Sequence, residues 1–164
     1  MPAFVLANRS MGKPSAISGR LTASGHELLQ RVYFEDTDFS GRVYHARYLQ
    51  FMERGRSDYL RLAGIHHRAL AAEGRAFAVR HMAIDFLKPA SIDDVLTVRT
   101  STVETTGARI VLRQEILRDS QVLVAAVVTV ALVGPGGRPQ KLPAAVRAAL
   151  AGGAATGPLR PPVG

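Results

Sequence analysis

Tyr33-Phe34-Glu35-Asp36-Thr37-Asp38-Phe39-Ser40-Gly41, continuing through His45-Ala-Arg-Tyr48 to Ala63, is the stretch in which the chain changes its hydrophobic period. Residues 27–35 end in the β-formers Val32, Tyr33 and Phe34 and predict a strand. A polar turn follows over residues 36–41. Beyond it Tyr48, Met52, Tyr59 and Leu62 recur at steps of four, seven and three, which predicts a long helix over about residues 45–63. Gly55 falls on the same apolar stripe, where it lets the helix approach a neighbour closely at a propensity cost of about 1 kcal/mol. Arg47, Glu53, Arg54, Arg56, Asp58 and Arg61 make up the polar face, with Glu53 to Arg56 and Arg54 to Asp58 at pairing distance.

Outward from this stretch, Gly64 ends the long helix and a shorter helical pattern runs over residues 67–73 before Gly74. Four β-patterns follow, near residues 76–87, 95–104, 108–118 and 121–133, separated by Lys88-Pro89-Ala90, Thr106-Gly107 and Asp119-Ser120. The last three are spaced for hairpins. One long helix inserted after the first of five strands predicts an α+β layer architecture, an antiparallel sheet with the helix over one face. The final strand is apolar on both sides, so its outer face also needs cover, which a partner subunit would supply. Residues 1–25 and 152–164 are rich in Ser, Gly, Ala and Pro without a period and read as disordered tails around a single domain at 26–151.

Composition excludes several functions. The chain has 164 residues, 47% of them hydrophobic, and no cysteine, so disulfides, thiolate metal sites and cysteine nucleophiles are ruled out. The formal charge is +8, but between Glu27 and Leu150 there are 17 basic and 13 acidic residues, leaving only +4 on the domain. No basic cluster with interleaved aromatics appears, which argues against nucleic acid while favouring an anionic ligand such as a CoA phosphate. The longest apolar run, residues 122–133, is too short to span a bilayer, so no membrane span is expected. The N-terminus lacks the apolar core of a secretory signal, and a cytoplasmic location is the expectation.

Glu35, Asp36, Thr37 and Asp38, with Gly41, Tyr44 and His45 close behind, form the densest group of functional side chains, at the junction of strand and helix. A helix N-terminus presents unpaired N–H groups that stabilise an oxyanion without any side chain. A carboxylate beside it can attack a thioester carbonyl or activate water against it. The same acids could equally cap the helix or solvate the turn. On residue chemistry alone both readings stand.

The run from Tyr33 to Tyr48 resembles the signature of the Tol-Pal-associated (YbgC-type) acyl-CoA thioesterases, relatives of the 4-hydroxybenzoyl-CoA thioesterases. Phe51-Met-Glu-Arg-Gly-Arg-Ser-Asp-Tyr-Leu60 resembles the central helix of that family, and Phe86-Leu-Lys-Pro-Ala-Ser-Ile-Asp-Asp94 its Pro-Ala to Asp-Asp strand connection. The similarity extends over about residues 28–145. It implies a hotdog fold, a five-stranded antiparallel sheet wrapped around one long central helix, with active sites at a subunit interface. It further implies hydrolysis of acyl-CoA, with acyl carrier protein as a second candidate partner, in a homodimer or homotetramer and with no cofactor.

Carried over position by position, Asp38 takes the place of the catalytic carboxylate, as nucleophile or general base. His45 takes the place whose backbone N–H polarises the thioester carbonyl, and its imidazole is a further catalytic candidate. Tyr44 is the third catalytic candidate and with Gly41 shapes the loop, and Gly41, Val43 and Lys88 are the substrate-binding candidates. Many relatives have tyrosine where this chain has Phe34, so that hydroxyl is missing. A non-catalytic acyl-CoA or acyl-carrier-protein binding module is the alternative reading, and hydratase chemistry lacks its own motif.

The other candidates carry less. Adjacent His66 and His67 cannot share one helical face, so no metal site is expected there. His81 reads as a packed or surface residue, and Arg42 and Arg80 as solvated charges that could also meet CoA phosphates. Residues 134–139, Gly-Pro-Gly-Gly-Arg-Pro, lack a following helix and read as a turn, and no Gly-x-Ser-x-Gly elbow is present.

Overall fold

The computed structural model describes residues 17–151. Its elements in chain order are β1 (Arg20–Thr22), β2 (Gly25–Arg31), a 3-10 turn (Phe34–Asp36), α1 (His45–Leu62), α2 (His67–Ala72), β3 (Ala76–Phe86), β4 (Val95–Thr105), β5 (Arg109–Arg118), β6 (Gln121–Val133), a second 3-10 turn (Pro135–Gly137) and α3 (Ala144–Ala151). The strands form one sheet in the order β1-β2-β4-β5-β6-β3, antiparallel throughout. β4, β5 and β6 are hairpin-connected as their spacing required. Among the described residues β3 is an edge strand of 11 residues, paired with β6 alone.

The expectation of five strands around a single long helix is corrected to six strands and three helices among the described residues. The sixth strand, β1, lies in residues read as tail. Three residues are too few to show a period, and pairing with β2 (Arg20 opposite Glu27, Thr22 opposite Gly25) supplies what the local sequence does not signal. Of the two tails, residues 1–16 and 152–164 lie outside the described residues. The unforeseen helix α3 follows Pro143, and Leu142, Val146 and Leu150, four apart, are all buried in the core. α2 forms where its pattern placed it.

The first predicted strand also stops early, at Arg31 rather than residue 35. The Tyr33 N–H donates to Asp36 Oδ2 at 2.9 Å, and the Thr37 N–H and hydroxyl both donate to the Phe34 carbonyl, at 3.1 and 2.8 Å. Local side-chain bonds of this kind compete with the ladder and here outweigh the β-propensity of Tyr33 and Phe34.

The long helix α1 lies across one sheet face, against β1, β2, β4 and β5. Its buried stripe is Tyr48, Phe51, Met52, Gly55, Arg56, Tyr59 and Leu60. Opposite it stand Leu96, Val98, Ile110, Leu112, Ile116, Val124, Val128 and Leu132, all buried. Gly55 is the point of closest approach: a Cβ there would stand 2.7 Å from Val98 Cγ1. Beside it Gln114, fully buried, accepts from Arg56 at 2.8 Å. Its amide donates to the Met52 carbonyl and to Thr100 Oγ1, both at 2.9 Å. Helix and sheet are thereby joined by a satisfied polar network as well as by apolar contact. α1 is held in one register, and with it the position of its N-terminus.

Candidate active site

The turn before α1 separates its two aspartates by environment. Asp36 is 2% exposed. Its side chain accepts the Tyr33 N–H, its carbonyl accepts the Tyr44 N–H at 2.9 Å, and Arg47 Nε lies 3.7 Å from its other carboxylate oxygen. Arg47, in the first turn of α1, also donates to the Glu35 carbonyl at 2.8 Å. Asp36 and Arg47 thus bind the turn to the helix. Asp38 points outward: its Oδ1 accepts the Ser40 N–H at 2.8 Å and the Ser40 hydroxyl at 2.6 Å. The Ser40 hydroxyl bond, followed by the Ser40 backbone bond, holds its pKa below the usual aspartate value. Among the described residues no protein donor reaches Asp38 Oδ2, so an ionised carboxylate is presented to solvent.

The loop returns through a tight turn in which the Gly41 N–H donates to the Asp38 carbonyl at 3.0 Å and Gly41 adopts φ +75°, a conformation that glycine reaches without strain. The Asp38 N–H then donates to the Arg42 carbonyl at 2.8 Å. Val43 is buried and its N–H donates to the Ala90 carbonyl at 2.9 Å. Tyr44 is the N-cap of α1 and makes no side-chain capping bond. The Arg47 N–H donates to the Tyr44 carbonyl at 2.8 Å, but among the described residues the N–H groups of His45 and Ala46 meet no protein acceptor. Two donors and the positive end of an 18-residue helix are left open.

His45 lines a cleft of about 260 Å³ together with Val43, Tyr48, Phe86, Leu87, Lys88 and Pro89. The end of β3 forms its far wall, where the N–H groups of Leu87 and Lys88 both donate to the Leu123 carbonyl, at 2.8 and 3.0 Å. The Phe86 ring meets His45 edge-on at 6.1 Å and Tyr48 at 6.0 Å. The Tyr48 hydroxyl accepts the Ala90 N–H at 2.9 Å, and burial raises its pKa above the usual phenol value.

Three of the six residues singled out in the sequence, Val43, His45 and Lys88, therefore meet in one cleft. Asp38, Gly41 and Tyr44 lie on the adjoining loop outside its lining, with the Tyr44 ring stacked at a tilt 4.6 Å from that of His45. Tyr48 and Phe86 were not foreseen as site residues. Tyr48 read only as part of the helix's apolar stripe, and Phe86 only as a motif residue at the end of a strand. Phe34, the departure from the family pattern, is 82% exposed on the 3-10 turn. His66 and His67 line a separate groove of about 560 Å³ with Arg54, Arg61 and Arg68 on the other flank of α1. His81 and Arg80 are exposed on β3. Among the described residues no helix is long and apolar enough to cross a membrane.

A long helix laid across an antiparallel sheet, with its free N-terminus beside a carboxylate loop, defines a class, and comparison with known proteins agrees. The sequence profile described as the thioesterase superfamily matches residues 40–125, and the chain belongs to that family, with its hotdog fold. Its relatives include the acyl-CoA thioesterase YbgC of Haemophilus influenzae, 43% identical over 128 residues, spanning 77% of this chain and 94% of that protein. The acyl-CoA thioester hydrolase YbgC of Escherichia coli is 40% identical over 118 residues, 71% of this chain and 88% of that protein. Among solved structures, a probable thioesterase from Bartonella henselae superposes with a TM-score of 0.71 at 47% identity, covering 73% of this chain and 99% of that one. The YbgC-type resemblance read from the Tyr33 to Tyr48 signature is confirmed, and thioester hydrolase is the enzyme class.

Proposed function

We propose that this protein hydrolyses acyl-CoA thioesters to the free acid and CoA, with Asp38 supplying the reacting carboxylate and the start of α1 supplying the oxyanion site. The observation that carries the reading is the pair of unpartnered N–H groups at His45 and Ala46, at the start of a helix whose first residue, His45, lines a cleft and stands seven residues after an ionised aspartate. With the thioester carbonyl at the helix start, negative charge developing on its oxygen meets donors already in place. Asp38 takes a proton from water as the water oxygen attacks the carbonyl carbon. The tetrahedral intermediate then collapses, breaking the C–S bond, and the departing CoA thiolate takes up the proton. Direct attack by Asp38, through a mixed anhydride that water then opens, uses the same groups. Gly41 and Val43 shape the approach, and Lys88, exposed at the mouth, offers a point charge to CoA phosphates.

The assembly proposed is a homodimer through β3, as such or paired into a tetramer. An 11-residue edge strand with one free side is a template for pairing with a second copy, and Val79, Phe86 and Leu87 on and beside it are about half exposed. A partner placed there would also shield the cleft wall from bulk water. Sedimentation of the protein at micromolar concentration is expected to give a dimer or tetramer, and a monomer would refute this assembly. Acyl carrier protein thioesters are the second substrate class, and the cytoplasm, where acyl-CoA is found, is the proposed location.

The direct test is CoA release from a panel of acyl-CoAs by the parent and Asp38→Asn. Loss of a general base lowers turnover on the order of 10²–10⁴-fold, with dimer and thermal unfolding unchanged because Asp38 is exposed. Near-parental turnover in the variant would refute the role given to Asp38. Acyl-CoA affinity without CoA release by the parent would instead mark a binding module.

A further inference from the structure

We propose that Tyr48 sets the length of the acyl group this protein accepts, acting as a fixed stop at the inner end of the cleft; the inference rests on the thioester hydrolysis proposed above. The lining divides by exposure. His45, Phe86, Leu87, Lys88 and Pro89 are exposed and form the mouth, whereas Val43 and Tyr48 are buried and form the floor. Tyr48 is the large residue of that floor. It sits three positions after His45 on the same helix, a rise of roughly 4.5 Å, so an acyl chain whose carbonyl rests at the His45 N–H meets the Tyr48 ring almost at once.

That ring cannot swing aside. On one side it packs against Phe86, and behind it Phe51, fully buried, meets it edge-on at 6.2 Å. Its hydroxyl accepts the N–H of Ala90, a residue with no exposure, and movement of the ring would leave that N–H unpaired. The Ala90 carbonyl in turn accepts the Val43 N–H, so Tyr48, Ala90 and Val43 form one hydrogen-bonded floor. A ring tethered at its hydroxyl and held against two other rings is a wall, and the cleft it closes suits short acyl chains.

The test measures kcat/KM for CoA release from straight-chain acyl-CoAs, acetyl to dodecanoyl, in the parent, Tyr48→Phe, Tyr48→Leu and Tyr48→Met. The parent is expected to fall off with chain length. Tyr48→Leu and Tyr48→Met open the floor, so the optimum moves to longer chains, with a gain relative to the parent of roughly four-fold for each methylene newly buried. Tyr48→Phe keeps the ring and is expected to keep the parent's chain-length ratios while losing thermal stability. A folded Tyr48→Leu or Tyr48→Met with ratios parallel to the parent's, or a parent whose efficiency rises through to dodecanoyl, would overturn the proposal. Should the leucine variant unfold below the assay temperature, the methionine variant, closer in length, decides. A parent that releases no CoA from any member refutes hydrolysis rather than the stop; calorimetric binding of the same series to the parent and Tyr48→Met then gives the length dependence, and equal ratios in the two again overturn it.

Discussion

Removing the Asp36 side chain separates architecture from chemistry within the turn. In Asp36→Ala the Tyr33 N–H loses its 2.9 Å acceptor and Arg47 loses the carboxylate 3.7 Å from its Nε. An orphaned donor costs about 1–3 kcal/mol, and Tyr33 is half exposed, so water recovers part of that. The Arg47 contact is long, and the guanidinium keeps the Glu35 carbonyl, so its loss adds only a few tenths of a kcal/mol to about 1. The sum is about 1–3 kcal/mol, or roughly 3–10 °C in Tm for a domain of this size. The Tyr44 N–H still reaches the Asp36 carbonyl, so the turn loosens without detaching, and kcat is expected to drop about 10- to 100-fold through misplacement of Asp38. Asp36→Asn, which keeps an acceptor for Tyr33, should recover most of the stability. Thermal unfolding and CoA release are read on both variants beside Asp38→Asn. An Asp36→Ala protein as stable as the parent, yet as inactive as Asp38→Asn, would show that Asp36 is the reacting carboxylate and refute the division of roles.

Two further outcomes follow from the packing and the charges. Gly55→Ala gains about 1 kcal/mol in helix propensity but places a methyl 2.7 Å from Val98 Cγ1 and 3.2 Å from Thr100 Oγ1; overpacking of about 1–3 kcal/mol is expected to win, and a urea midpoint at or above the parent's would contradict it. Asp58 and Asp94 both have pKa values below the ordinary one: burial works to raise each, but Arg61, His26 and the Gly19 N–H outweigh it at Asp58, as the Ser91 N–H and Arg118 do at Asp94. Carboxylates depressed in the folded state stabilise it fully above their unfolded pKa of about 4 and lose that contribution as pH falls through the folded value. Urea midpoints should therefore hold level from pH 7 to about 5 and decline below about 4, less steeply in Asp58→Asn; a steady loss beginning at pH 6 would point to other groups.

Periodicity made α1 legible, because it buries one face and writes that face into the sequence, while the close-set turns at Thr106-Gly107 and Asp119-Ser120 marked the hairpins of β4, β5 and β6. Its limit shows at Val32, Tyr33 and Phe34. Their β-propensity is real, but one carboxylate three residues on captures the Tyr33 N–H and ends the strand. β1 exists through its register with β2 and its place against α1, and no local signal announces it. At the site, the residue types near the helix start could be read directly, whereas the cleft could not. Phe86 and Tyr48 are 38 residues apart in the chain, and only the antiparallel return of β3 beside β6 brings the end of one element to the start of the other. Their meeting is a long-range contact that neither local pattern encodes.

The residues around the helix start account for why its N–H groups remain open. Ser, Thr, Asp and Asn are the side chains that cap helices, and the turn contains four of them: Asp36, Thr37, Asp38 and Ser40. Each is engaged elsewhere, Asp36 with Tyr33, Thr37 with Phe34, and Asp38 with Ser40. The N-cap itself is Tyr44, whose side chain makes no capping bond. Leaving a helix uncapped forgoes about 0.5–2 kcal/mol, and a chain so rich in caps at this point would not do so by lack of material. The same bonds that withdraw the caps fix the turn and lower the pKa of Asp38. Stability is conceded at one terminus, and in return the helix keeps an anion-stabilising end, with an ionised carboxylate on the loop before it, the two groups that the proposed hydrolysis calls on.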